Sequence, residues 1–313
     1  MAQAVFRVVA AGPLVSVQDA GRRGSLRFGV PGSGPMDRKS LAIANGTLGN
    51  LPGAAGIEVS RGGLVLECEA GAVSVAIAGG GFAVQAGDAR LGSWAVVTLR
   101  AGERLTIGQG PWGSWTAVAF AGDLQVHHWL GSAATHALSG FGGGMLRAGQ
   151  QITVTQAQVV RDGAIPCPVW ARPREVIHAV PGPQDRCFAA PVLEAFFAAP
   201  FWLTDAYDRM GVRLRGPDLA PKAALNLPSE AVMRGSVQVA GDGVATVLLA
   251  DHQTTGGYPK IASILSDDLD GFAQLRPHDA VRFVRVGADQ AVQIARQRAR
   301  AVARYLQALA ARL

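Results

Sequence analysis

Between Ile57 and about Val160 the chain is a succession of short β-type runs, each ended by a turn. The runs are Ile57–Ser60, Leu64–Cys68, Val73–Ala78, Trp94–Leu99, Thr116–Phe120, Leu124–Trp129 and Ile152–Thr155. Short strands at such spacing predict a barrel or a sandwich. Glycine, at 40 of 313 residues, supplies the turns. One phrase recurs. Leu99-Arg100-Ala101-Gly102-Glu103-Arg104-Leu105-Thr106-Ile107 is echoed by Leu146-Arg147-Ala148-Gly149-Gln150-Gln151-Ile152-Thr153-Val154. Leu275-Arg276-Pro277-His278-Asp279-Ala280-Val281-Arg282-Phe283 is a looser third copy. The distant third copy points to two related β domains, and the plain alternative is one economical turn used repeatedly.

Proline clusters from Ile165 to Arg174, which sets the expected boundary. The predicted parts are an N-terminal β-barrel domain (1–170), a C-terminal β-barrel domain (171–287) and an amphipathic helix (288–313). In the first part, a helix is expected after Pro35, with Leu41, Ala44 and Leu48 on one face and Gly49-Asn50 as its stop. In the second, Val176–Val180 opens the β unit, Pro191 starts a helix, and Gly241-Asp242-Gly243 joins Ser236–Val239 to Val244–Ala250 as a hairpin. A slip in alternation between Phe283 and Val284 predicts a bulge. In the last helix Val292, Ala295, Ala299, Val302, Leu306, Leu309 and Leu313 form the expected docking seam, with Arg296, Arg300 and Arg304 beside it. The fold class is therefore mostly β, with a few short helices and a C-terminal helix.

Composition narrows the function classes. The chain is 49% hydrophobic and 17% charged, and no apolar run reaches the length of a membrane span. The N-terminus lacks a charged segment followed by a long apolar stretch, so the expectation is a cytoplasmic protein with no membrane partner. The net charge is +6, but the arginines outside the last helix are scattered, which disfavours nucleic acid. Cys68, Cys167 and Cys187 form no paired framework and are expected to be reduced. No glycine-rich run ends in Gly-Lys-Ser/Thr, and no nucleophile elbow is present. His127, His128 and His136 lack zinc spacing, and His127 and His128 on an alternating strand would face opposite ways. No metal site is expected. None of the lysines Lys39, Lys222 and Lys260 sits in the Met-Lys-Met setting of a biotin carrier.

The chemistry-bearing residues concentrate in loops. Asp251-His252-Gln253-Thr254-Thr255-Gly256-Gly257-Tyr258-Pro259-Lys260 follows a buried-strand pattern and offers a carboxylate, an imidazole, an amide, two hydroxyls, a phenol and an ammonium. From spacing alone it is equally a ligand wall or a hydrogen-bonded structural loop. Gln18-Asp19-Ala20-Gly21-Arg22 and Phe28 to Asp37 make a long loop too rich in Gly and Pro for a helix, and loops of this length tend to be functional. Gln184 and Asp208-Arg209-Met210-Gly211 mark two further polar turns.

Together these residues resemble the KipA or allophanate-hydrolase-subunit-2 family, also labelled biotin-dependent carboxyltransferase. The resemblance rests on Val17–Arg22, Phe28–Asp37, Ala44-Asn45, Gly49-Asn50, Pro181–Asp185, Asp208–Gly211, Gly235–Gln238, Gly241–Gly243, Asp251–Lys260 and Leu275–Pro277. It departs at Gly131–Thr135, where the family has an arginine in place of Ala133, and at His252, where arginine is commoner. It implies a pair of cyclophilin-like barrels. It implies a KipI-like (B-type) partner, an A-type partner as well in oxoprolinases, and a small amide or lactam substrate.

The activity implied first is ATP-dependent hydrolysis of 5-oxoproline to glutamate, with ATP supplied to a complex. On that reading Arg22 or Arg209 binds the substrate carboxylate. Thr254, Thr255 and the N–H groups of Gly256 and Gly257 stabilise an oxyanion. Asp19, Asp37 or Asp251 acts as base, although capping is the stronger reading for Asp37. The catalytic candidates are Asp19, Asp251, Gln253, Thr254 and Thr255. The substrate-binding candidates are Gln18, Arg22, Ser33, Met36, Asp37, Gln184, Asp208, Arg209, Gly256, Gly257, Tyr258 and Lys260. The alternatives are a carboxyltransferase half-site that takes carboxybiotin from a separate carrier, and a non-catalytic regulator that sequesters a KipI-like kinase inhibitor.

Overall fold

The computed structural model describes residues 2–222 and 227–311. The chain forms two compact units: residues 1–22, 33–172 and 303–313, and residues 23–32 and 173–302. The division near Arg172 falls in the proline-rich stretch, but neither unit is one continuous piece of sequence.

The first unit holds two sheets. Seven strands run in the order Asp123–Gln125, Gln151–Thr155, Gln3–Ala11, Leu64–Ala70, Arg104–Trp112, Gly81–Ala86, Ala89–Gly92. Six more run Gly163–Ala164, Ala95–Arg100, Ala72–Ala78, Trp115–Phe120, Gly56–Ser60, Ser16–Gln18. The expectation of a barrel here is refined, because the strands divide between two sheets. Gln3–Ala11 buries Ala4, Phe6 and Val8 and turns the intervening residues outward, the period-two pattern of a strand with one covered face. Trp115–Phe120 and Gly56–Ser60 are buried throughout, because helix Arg38–Thr47 packs on that sheet.

Pro35 does not open this helix. Asp37 caps it, accepting from Ser40 N at 3.0 Å and Ser40 Oγ at 2.6 Å. The strand expected over Leu124–Trp129 ends at Gln125, so the opposite-faces reading of His127 and His128 is withdrawn. His127 Nδ1 instead lies 3.3 Å from Gly142 O, and His128 Nδ1 3.2 Å from Val126 O.

The second unit is a closed barrel. Its order is Val176–Pro181, Lys260–Ile264, Ser236–Val239, Ala245–Leu248, Gly211–Arg215, Pro200–Tyr207, Ala280–Arg285. The last strand closes on the first in parallel, from Val176↔Arg282 to Ala179↔Arg285 without a register shift. The predicted bulge at Phe283–Val284 is therefore absent from this pairing, and the slip reflects only an exposed Val284. Helix Ala190–Ala198 plugs one side, with Phe196 stacked on Phe283 at 4.6 Å and near Phe201 at 5.6 Å. Each buried phenylalanine contributes roughly 1.5–3 kcal/mol by leaving water.

Helix Ser266–Ala273 has no counterpart in the sequence expectations, which assign nothing to this stretch. Asp267 and Asp268 occupy its first turn, where the helix dipole favours negative charge.

The terminal helix Ala288–Ala310 has a rotated seam. Val292 and Ala299 are exposed, while Ile294, Ala295, Arg298, Val302, Tyr305, Leu306 and Leu309 turn inward. Leu313 lies outside the described residues. The rotation follows from Arg298, whose guanidinium lies 2.8 Å from the buried Asp268. The last turns belong to the first unit, where Leu309 enters the core and the Tyr305 hydroxyl donates to Pro166 O.

Candidate functional site

In the first unit, the expected site residues are engaged as braces. Asp19 accepts from Gly21 N at 2.9 Å, from Ser132 Oγ at 2.6 Å and from Ala133 N at 2.6 Å. Its carboxylate thus holds the Gly131–Thr135 stretch. Arg22 is buried, donates to Trp129 O at 3.1 Å and to Ala134 O, and lies over the Trp129 ring at 5.0 Å. Gln18 Nε2 donates to Ser16 Oγ at 2.9 Å and Thr135 O at 3.1 Å. The backbone N–H of the buried Met36 donates to Glu58, and Ser33 sits at a positive φ of 51°. Asp37 is the helix cap already described. Asp19, an expected base, and Arg22, an expected carboxylate clamp, both brace one loop.

In the second unit the decapeptide from Asp251 to Lys260 does two different things. Asp251 and Arg209 are each 1% exposed and form a bidentate pair, Nε to Oδ2 at 2.9 Å and NH2 to Oδ1 at 3.1 Å. The pair, an expected clamp and an expected base, positions the loop. Asp208 Oδ1 accepts from Met210 N at 2.7 Å and Gly211 N at 3.1 Å, fixing the turn that carries Arg209. His252 is buried with Nδ1 2.6 Å from Gln253 O. Desolvation holds its pKa below the ordinary histidine value, and the nearby Arg234 charge adds to the effect.

From Thr254 onward the loop becomes a ribbon. Thr255–Gly256 pairs with Glu230–Ala231, and Val232 N donates to Thr254 O at 3.1 Å. A Cβ at Gly256 would lie 2.6 Å from Gln238 Nε2, so a side chain there would require the Gln238 amide to move. Lys260 is almost buried, with Nζ 3.3 Å from Glu230 Oε2. Gln184 joins them, accepting from Lys260 N at 3.1 Å and donating to Glu230. Gly182 is a second required glycine, since a Cβ there would meet Lys260 O at 1.9 Å.

A cavity of about 450 Å³ opens beside this ribbon, within the range usual for small-molecule sites. Gln238, Gln253, Tyr258, Asp208, Arg213 and Met210 are among its lining residues. Gln253 Nε2 donates to Gln238 Oε1 at 3.0 Å. Arg213 pairs with Asp242 at 2.5 Å, both half exposed. Gln238, Arg213 and Glu230 were not among the expected site residues. Gln238 had one signal, its place in the Gly235–Gln238 stretch that carries the family resemblance.

Among the described residues no group of three or more His, Cys, Asp or Glu side chains is placed to hold a metal ion. The thiols are free. Desolvation raises the pKa of Cys68 and Cys167, which opposes thiolate nucleophiles at those positions.

A two-sheet unit followed by a closed barrel with a cavity of mixed polar and apolar lining defines a mostly β protein built in two parts. The family model described as "Carboxyltransferase domain, subdomain A and B" matches residues 28–285, and the chain belongs to that family. It is 32% identical over 316 residues to the C subunit of Escherichia coli 5-oxoprolinase, covering 99% of both chains. It is 31% identical to the C subunit of Haemophilus influenzae 5-oxoprolinase, covering 90% of this chain and 91% of that one. Among solved structures it resembles the Kluyveromyces lactis urea carboxylase, with a TM-score of 0.87 and 25% identity over 97% of this chain and 29% of that one. It also resembles the protein TTHA0988, with a TM-score of 0.80 and 32% identity over 90% of this chain. The chain spans only about half (56%) of TTHA0988.

Proposed function

We propose that the chain is one component of an ATP-dependent 5-oxoprolinase, acting on the lactam of 5-oxoproline beside a KipI-like B-type component and an A-type component. The observation that carries this reading is the match to the C subunit of 5-oxoprolinase over 99% of both chains. The chemistry ATP supplies in such a complex is activation of the lactam oxygen. This chain contributes binding and orientation. Arg213, at the cavity and accessible, replaces Arg209 as the cation for the substrate carboxylate. Tyr258, half exposed on the same lining, covers the ring. Thr254, Thr255 and the backbone of Gly256 and Gly257 form the ribbon next to it and supply the donors for a tetrahedral oxyanion.

A second reading has its own support. The likeness to the urea carboxylase favours a carboxyltransferase half-site that receives a carboxyl group from a separate biotin carrier. One experiment separates the two. The chain is reconstituted with its encoded partners, and glutamate release is followed with 5-oxoproline and ATP. ATP-dependent glutamate formation supports the first reading. A folded, complete complex that makes none, yet carboxylates urea when given a carboxybiotin carrier, establishes the second.

A further inference from the structure

The cavity beside the ribbon is lined by two carboxylates, Asp208 and Asp242, and one guanidinium, Arg213. Arg213 and Asp242 neutralise each other at 2.5 Å. Asp208 has no such counter-ion. It is exposed, and among the described residues no cation lies within ion-pair distance of it. The neighbouring Arg209 is buried and spent on Asp251. The turn takes up one oxygen of Asp208, since Oδ1 accepts from Met210 N and Gly211 N. Among the described residues Oδ2 accepts nothing. A second acceptor on the same lining is also unspent. Gln253 gives its Nε2 to Gln238, while its Oε1 is accessible and is hydrogen-bonded to no described residue. The lining therefore carries a net negative charge and two open acceptors. A carboxylate at a cavity repels a ligand whose only charge is negative and attracts one that also carries a cation.

We infer that Asp208 is the acceptor for an ammonium nitrogen, with Gln253 Oε1 as a second acceptor, so that the cavity is complementary to an amino acid and not to a simple carboxylate. Which nitrogen this is rests on the oxoprolinase reading: it is the one released when the lactam opens. Water adds its oxygen to the lactam carbonyl carbon, and the C–N bond breaks with its electron pair on nitrogen. Both protons of that water end on the nitrogen as the new carboxyl ionises, while ATP and a second water leave as ADP and phosphate. The ring N–H becomes an ammonium, and the original carboxylate stays on Arg213. Positive charge grows on the nitrogen as the bond breaks, so its contact with Asp208 strengthens along the reaction, the direction in which binding energy aids catalysis.

The test is calorimetric binding of three probes to the full-length chain: L-glutamate, glutarate (the same two carboxylates without the amine) and 5-oxoproline. L-Glutamate is expected to bind at least about tenfold more tightly than glutarate, the value of one charge-assisted hydrogen bond. Asp208→Asn keeps Oδ1 for the turn and removes the charge. It is expected to weaken glutamate binding about tenfold, with an unchanged melting temperature. Glutarate and 5-oxoproline are expected to bind this variant as well as before or better, because a repelling charge is gone. Equal weakening of all three probes overturns the inference in favour of a purely structural Asp208. Glutamate that binds the unmodified chain no better than glutarate overturns it without recourse to any variant. So does glutamate binding that the folded Asn variant retains in full. The activity reading fails separately. A complex that makes no glutamate, while the chain still selects glutamate over glutarate through Asp208, removes the oxoprolinase assignment and leaves the ammonium site. A complex that turns over 5-oxoproline, with its inhibition by glutamate unchanged in Asp208→Asn, keeps the assignment and removes the site.

Discussion

Asp251 and Arg209 show how a residue's chemistry is redirected by burial. Each sits in a polar loop and reads as site chemistry, but a contact across 42 residues of sequence seals them against each other. Removing one partner leaves a charge in the interior, so Arg209→Ala or Asp251→Ala is expected to lower stability by about 3–5 kcal/mol in denaturant titration. Replacing both by leucine is expected to be far milder. His252 makes a pH prediction of defined sign. Its pKa is lowered on folding, so the unfolded chain takes up the proton first. Its contribution to stability is complete above about pH 6.5 and is lost as pH falls from there toward the folded value. His252→Asn should flatten that acid-side slope, as read from melting temperature against pH.

At this scale the sequence disclosed the polar loops but not their partners. The side chains joining Gln184 to Glu230, or Gln253 to Gln238, are 46 and 15 residues apart. No local pattern encodes which amide will meet which. Asp37 was legible because a cap is a local event.

Among the elements, the recurring turn is the best example of local chemistry. Arg100 N donates to Glu103 Oε2, Arg147 N to Gln150 Oε1 and Arg276 N to Asp279 Oδ2, at 2.7, 3.2 and 2.8 Å. In all three the third residue has positive φ: Gly102 at 89°, Gly149 at 85° and His278 at 74°. The repeat is thus the same side-chain-locked turn, formed once in the second unit and twice in the first. His278 is the strained copy. His278→Gly is expected to raise stability by up to about 1 kcal/mol in denaturant titration.

The terminal helix was legible as a helix but not in its rotation. A hydropathy seam gives no weight to an arginine, and Arg298 is what turns the helix. Asp268 receives Arg298 at 2.8 Å, Arg174 at 3.3 Å and His178 Nδ1 at 2.8 Å. Arg298→Ala is expected to speed amide exchange across 290–300 by the equivalent of roughly 1–3 kcal/mol. Residues 305–310, held by Leu309 and Tyr305, should exchange as before.

For the whole molecule, strand-rich character and the break near Arg172 follow from short apolar runs and proline density. The composition of each unit does not. Segment 23–32 belongs with 173–302, and residues 303–313 with the first unit, and neither membership leaves a mark in local sequence. A fragment cut at the sequence-derived boundaries, 171–287, therefore lacks both 23–32 and the Arg298 partner of Asp268. It is expected to melt without the cooperative transition of the full chain, as followed by circular dichroism.

The assignment of residues 23–32 to the second unit also bears on synthesis. Those residues leave the ribosome early, whereas the strands of the barrel they join are made some 150 residues later, at Pro173 and beyond. At roughly 5–20 residues per second the segment waits on the order of ten seconds or more without its neighbours. It carries Leu26 and Phe28, exposed even in the finished protein. The nascent chain thus presents an apolar loop throughout the making of the first unit, and the second unit is complete only when an early segment and a late one meet.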